Sequence, residues 1–103
     1  MTARERLPDR RLCESFAFKH GGMKYTASIA RYGDGRLAEI FISNHKTGSD
    51  TDAAAKDSAV VCSIALQHQV PMETIRKALL RDARGNASSP LGAALDIIAG
   101  QSS

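Results

Sequence analysis

The densest run of chemically capable side chains in this sequence is Glu39-Ile40-Phe41-Ile42-Ser43-Asn44-His45-Lys46-Thr47-Gly48-Ser49. A carboxylate is followed by a His-Lys pair, then by Gly-Ser ahead of a helical stretch. Helix N-termini favour anions and Lys46 adds charge, so the run reads as an anion site. The plainer reading is that Gly48-Ser49 turns and caps the helix, while Glu39 bonds a neighbouring strand or the N-terminal arginines. Arg4, Arg6, Arg10 and Arg11 crowd the first eleven residues, against only Glu5 and Asp9. A basic arm of this kind either holds phosphate or is a solvated end. The candidate ligand-binding residues are therefore Arg10, Arg11, Glu39, His45, Lys46 and Ser49. The arginines and Lys46 would hold phosphate, Glu39 would orient an arginine, and His45 would donate to a ligand oxygen.

Other chemistries find less support. His20, His45 and His68 are widely spaced, and Cys13 and Cys62 form no CxxC, so no metal centre is expected. No GxSxG elbow and no phosphate-cradling glycine loop is present, and no residue is assigned a catalytic role. Cys62 lies in an apolar helical stretch and reads as a core filler. The segment from Ser63 to Leu80 has helix-turn-helix flavour, with Arg76, Lys77 and Arg81 facing phosphates in a nucleic-acid-binding alternative. Two packed core helices would give the same pattern.

The elements that must position these residues follow from periodicity. Phe16 and Phe18 alternate with polar neighbours from Glu14 onward, and Gly21-Gly22 marks a tight hairpin. Met23, Tyr25, Ala27 and Ile29 share one face of a strand reaching Tyr32, and Gly33-Asp34-Gly35 turns the chain again. Leu37 to Ser43 is the third strand, with Ile40 and Ile42 on one face and Glu39 and Phe41 on the other. After Gly48 the period becomes helical. Ser49 or Asp50 caps a helix over 53–68, in which Val61, Ile64 and Ala65 form a stripe beside Ser58 and Cys62. Pro71 opens a second helix ending near Arg81, and Ser88-Ser89-Pro90 opens a third over 90–99. The expected fold class is α+β: a three-stranded antiparallel meander followed by, and packed against, about three helices. Residues 1–12 form a basic arm and 13–100 a single domain.

Composition bounds the function. The 103 residues carry a net charge of +3 and 24% charged residues, mildly basic and ordinary for one globular domain. No membrane span or secretory leader is evident, so a cytoplasmic protein with reduced thiols is expected. The Ala-rich first helix and the open sheet edges point to a homo-oligomer, in particular a homodimer.

Several ordered segments carry a resemblance. They are Leu7-Pro8-Asp9-Arg10-Arg11, Gly22-Met23-Lys24-Tyr25, Asp34-Gly35-Arg36-Leu37-Ala38-Glu39-Ile40-Phe41-Ile42 and Lys46-Thr47-Gly48-Ser49, then the run from Ser63 to Glu73 with its Gln69-Val70-Pro71. Together they resemble the C-terminal accessory region of adenosylcobalamin (vitamin B12)-dependent ribonucleotide reductases, the TSCPD domain. Gln69 stands where that family usually has Gly, and the Thr-Ser-Cys-Pro-Asp motif is absent. The resemblance implies a stand-alone accessory domain, non-catalytic alone, that binds nucleotide or a reductase partner. Any link to catalysis would run through a ribonucleoside-diphosphate reductase. Adenosylcobalamin enters by family association and no cofactor is expected on this chain, because Cys13 and Cys62 match none of the reductase's radical or redox cysteines and 103 residues leave no room for its barrel. The remaining alternative is a structural or interaction domain without a ligand.

Overall fold

Two glycines start the sheet. Gly21 and Gly22 both take positive φ, 57° and 77°, the conformation a two-residue hairpin loop needs when its twist matches that of the flanking strands. In this computed structural model, which describes residues 3–7, 12–46 and 48–101, they join β1 (Leu12–His20) to β2 (Met23–Arg31) in antiparallel register, with Phe16 opposite Ala27 and Phe18 opposite Tyr25. A second turn, closed by Gly35 N–H donating to Tyr32 O, leads into β3 (Leu37–Asn44), which pairs antiparallel with β2 across a bulge at Ala30/Arg31. The sheet order is β1-β2-β3, followed by α1 (Asp50–Gln67), α2 (Met72–Ala78) and α3 (Pro90–Gln101). The expected α+β meander with a helical layer is the observed fold.

The helices bury one face of the sheet. Tyr25, Ile40, Ile42, Leu95 and Ile98 are fully enclosed, and Phe18, Ile29, Leu37, Cys62 and Leu66 complete the core. Each of the larger side chains contributes about 1.5–3 kcal/mol through burial. Cys62 is a core filler whose thiol burial pushes its pKa up to about 11, so its reactive form is suppressed.

α1 departs from the expected stripe. Val61 is 67% exposed and Ile64 43%, whereas Ala55, Ala59, Cys62 and Leu66 face the core. The physical reason lies in β3. A second row on α1, Asp52, Ser63 and Gln67, is buried against the edge of that strand. Ser63 Oγ accepts from Ile40 N–H at 2.8 Å and donates to Ile40 O at 2.9 Å, while Gln67 Nε2 donates to Ala38 O at 3.1 Å. Asn44 N–H donates to Asp52 Oδ1 at 3.0 Å. These bonds roll the helix toward the strand, and the larger Val61 and Ile64 turn outward. Of the two sheet edges, that of β3 is therefore covered.

α1 ends in a Schellman arrangement: Val70 N–H donates to Ala65 O and Gln69 N–H to Leu66 O. That arrangement requires positive φ at its outer residue, and Gln69 takes 70°. The Gly-to-Gln departure noted in the sequence thus falls on a backbone position that glycine suits best.

Candidate functional site at the basic end of the sheet

The 44–49 loop is built by Asp52. Its carboxylate accepts from Asn44 N–H, from Gly48 N–H at 3.2 Å and from Lys56 Nζ at 3.0 Å. The Lys56 ammonium first, then these backbone donors, hold its pKa below the ordinary carboxylate range. Ser49 caps α1 by accepting from Asp52 N–H at 3.1 Å, and its hydroxyl donates to Lys46 O at 3.0 Å. Asn44 Oδ1 accepts from Lys46 N–H at 2.7 Å. Gly48 and Ser49 thus serve the turn and cap, and their backbone ties leave the Lys46 ammonium exposed beside the sheet.

His45 links this loop to the hairpin. Its N–H donates to Lys24 O, and its Nε2 lies 2.9 Å from Thr26 Oγ1. Lys24 in turn stands directly opposite Lys19 in the β1–β2 register. Lys19, Lys24, His45 and Lys46 are all exposed, and among the described residues the three lysines make no ion pair. Like charges set directly opposite on a sheet repel. A cleft of about 330 Å³ opens here, lined by Ala17, Phe18, Lys19, Lys24 and His45. From it the open sheet face runs over Thr26, Ser43 and Ser28 to Phe41, a half-exposed ring.

The structure places the other sequence candidates apart from this cluster. Glu39 is six residues before His45 on the same side of β3, a separation of about 20 Å at the rise of a strand. Arg10 and Arg11 lie outside the described residues. Sequence reasoning missed Lys19 and Lys24. The available signal was the Gly21-Gly22 hairpin, since a two-residue loop makes 19 and 24 cross-strand partners.

Arg31, Arg36, Arg76 and Arg81 are committed within the chain. Arg36 binds both Glu5 carboxylate oxygens at 3.0 Å and Asp34 at 2.6 Å, and lies 4.7 Å from the centre of the Tyr32 ring. Arg31 reaches Gly35 O and Glu14. These two arginines rim a second cleft of about 310 Å³ whose floor is Leu37, Leu66 and Met72. Arg81 grips Asp96 with two bonds, 2.8 and 2.6 Å, and Arg76 bonds both Asp96 and Glu73. In the helix-turn-helix alternative two of the three named cations are therefore engaged with carboxylates, and Lys77 is exposed. Among the described residues no three His, Cys, Asp or Glu side chains converge to hold a metal, and no helix is long and apolar enough to cross a membrane.

The family model described as the TSCPD domain matches residues 2–99. The chain belongs to the TSCPD domain family. Curated relatives of this TSCPD domain include the vitamin B12-dependent ribonucleotide reductase of Agrobacterium fabrum, 40% identical over 68% of the chain and 6% of the relative. The proteins of the same name from Bradyrhizobium diazoefficiens and Rhodopirellula baltica are each 38% identical, over 71% and 70% of the chain and 6% and 7% of the relative. The chain thus spans 6–7% of the length of the relatives it matches. No solved structure matches this chain.

Proposed function

We propose that this TSCPD domain is a non-catalytic accessory module of ribonucleotide reduction, and that it binds the phosphates of a nucleotide at the basic end of its open sheet face. The observation that carries the reading is the facing pair Lys19 and Lys24, unpaired among the described residues and joined by His45 and Lys46. Their mutual repulsion falls when an anion sits between them, so binding gains from charge already assembled. Phe41 offers a flat ring on the same face, about 13 Å from His45 by strand rise, on which a base can stack. The kinship with vitamin B12-dependent reductases supplies the ligand class.

A reductase chain is the macromolecular partner in this reading. The matched region is a small part of each relative, as expected for a module acting beside a larger catalytic body. The described residues do not fit adenosylcobalamin. The clefts, of about 310, 420 and 330 Å³, lie at the small end of small-molecule sites, and each is open. No step of the proposed function passes through that cofactor.

The test is a thermal-shift and calorimetric panel of ribonucleotides, deoxyribonucleotides and inorganic pyrophosphate. A ligand at about a hundred times its dissociation constant adds about 2.7 kcal/mol. A nucleotide-dependent rise in Tm that disappears in Lys19→Ala/Lys24→Ala supports the site. A flat panel overturns it, and binding of the purified reductase chain by that double variant then tests the partner separately.

A further inference from the structure

The sheet treats its two edges differently. On β3, α1 side chains take the C=O of Ala38, both backbone groups of Ile40 and the N–H of Asn44. Backbone direction alternates along an antiparallel strand, so Glu39, Phe41 and Ser43 are the residues that bond β2, through Ala30, Ser28 and Thr26. The intervening residues of β2, Tyr25, Ala27 and Ile29, must then bond β1, at Phe18, Phe16 and Glu14. It follows that the N–H and C=O groups of Ser15, Ala17 and Lys19 point away from the sheet. Among the described residues no other element bonds them.

We propose that this edge pairs with β1 of a second copy, antiparallel about a two-fold axis through Ala17, joining two three-stranded sheets into one. The proposal does not rest on nucleotide binding. The register is selected by the side chains. An axis at Ala17 sets Ser15 opposite Lys19 of the second copy and Ala17 opposite itself, so every outward backbone group of these residues is paired. On the core face Phe16, half-buried in one chain, meets Phe18 of the second copy, an aromatic cross-strand pair. At each end Glu14 faces His20, carboxylate against imidazole. An axis at Phe16 would set Glu14 against Phe18, and an axis at Phe18 would set Phe16 against His20. Those two axes set one phenylalanine opposite its own copy but strand the other ring or the carboxylate. The Ala17 axis instead pairs both rings with rings and Glu14 with a polar partner, with the smallest side chain of the strand at its centre.

The occupant is a second copy because the edge is complementary to itself. A two-fold interface of this kind is isologous and closes on itself.

The mass in solution decides. Light scattering across a concentration series should give twice the 11.0 kDa of the chain. Ala17→Pro removes an outward N–H without touching the β1–β2 ladder, and should return the mass to 11.0 kDa. Ala17→Lys, at an exposed position, sets two ammonium groups face to face and should do the same with unchanged circular dichroism. If the proline variant fails to fold, the lysine variant carries the test. Ala17→Cys in a Cys13→Ser background should form a disulfide-linked dimer on mild oxidation. A wild-type protein that stays monomeric across the series overturns the proposal. So does a dimer that survives Ala17→Lys, or one in which Cys13 cross-links to itself and Ala17→Cys does not.

Discussion

At Gln69 a side chain occupies a backbone conformation that disfavours one. The left-handed region costs an L-residue roughly 1 kcal/mol or more relative to glycine. Gln69→Gly should therefore raise stability by about 1 kcal/mol, read as a Tm increase of several degrees for a domain of this size. Ser63 gives the opposite case. Ser63→Ala removes the partner of both the N–H and the C=O of Ile40 in a site without water access, and should cost about 1–3 kcal/mol in denaturant unfolding. Asp96 carries a pH signature. Arg81 first, then Arg76, hold its pKa down at about 2 against burial. A carboxylate depressed on folding stabilises fully above its unfolded value of about 3.9. That contribution is lost as pH falls from there through about 2, because the unfolded chain then binds the extra proton. Asp96→Asn should therefore be less stable than wild type at neutral pH and show a flatter loss of stability across that acid window.

At the scale of the element, α1 answers to two neighbours. One row of small apolar residues meets the core, and an adjacent polar row seals β3. Strand and helix limits were legible in the sequence to within a few residues, because alternation, Gly21-Gly22, Ser49 and the two prolines each act locally. The buried face of α1 was not legible. Apolarity ranks Val61 and Ile64 above Ser63, and only the position of a distant strand's backbone reverses that order. The site was half legible for a related reason. His45 and Lys46 stand together in the chain, while Lys19 and Lys24 meet them through pairing across two turns. Asp52 joins both parts of α1's role, since it holds the strand end and the loop together. Asp52→Ala should lower Tm and speed hydrogen exchange at the amides of Asn44 and Gly48, while exchange at Ala27 stays slow.

For the molecule as a whole, charge is sorted by place. Arg31, Arg36, Arg76 and Arg81 are tied into ion pairs around the turns and helices, and the lysines at the hairpin end are left exposed. The net charge of +3 is too small to steer a ligand by itself, so the local cluster must do it. Nucleotide affinity should accordingly fall as salt is raised. Lys19→Ala/Lys24→Ala should raise the Tm of the unliganded protein slightly while removing the ligand shift, a combination that a purely structural role for these lysines would not produce.

The polar row of α1 has a consequence for how copies of this chain can grow. A sheet with two live edges has a valence of two, and its natural product is a filament. Here Ser63, Gln67 and Asp52 stop one edge within the chain, so the sheet has at most one edge to offer. Strand pairing between copies is then self-limiting: it halts at two. Weakening that seal, by Ser63→Ala and Gln67→Ala together, should restore the second valence and let the domain polymerise.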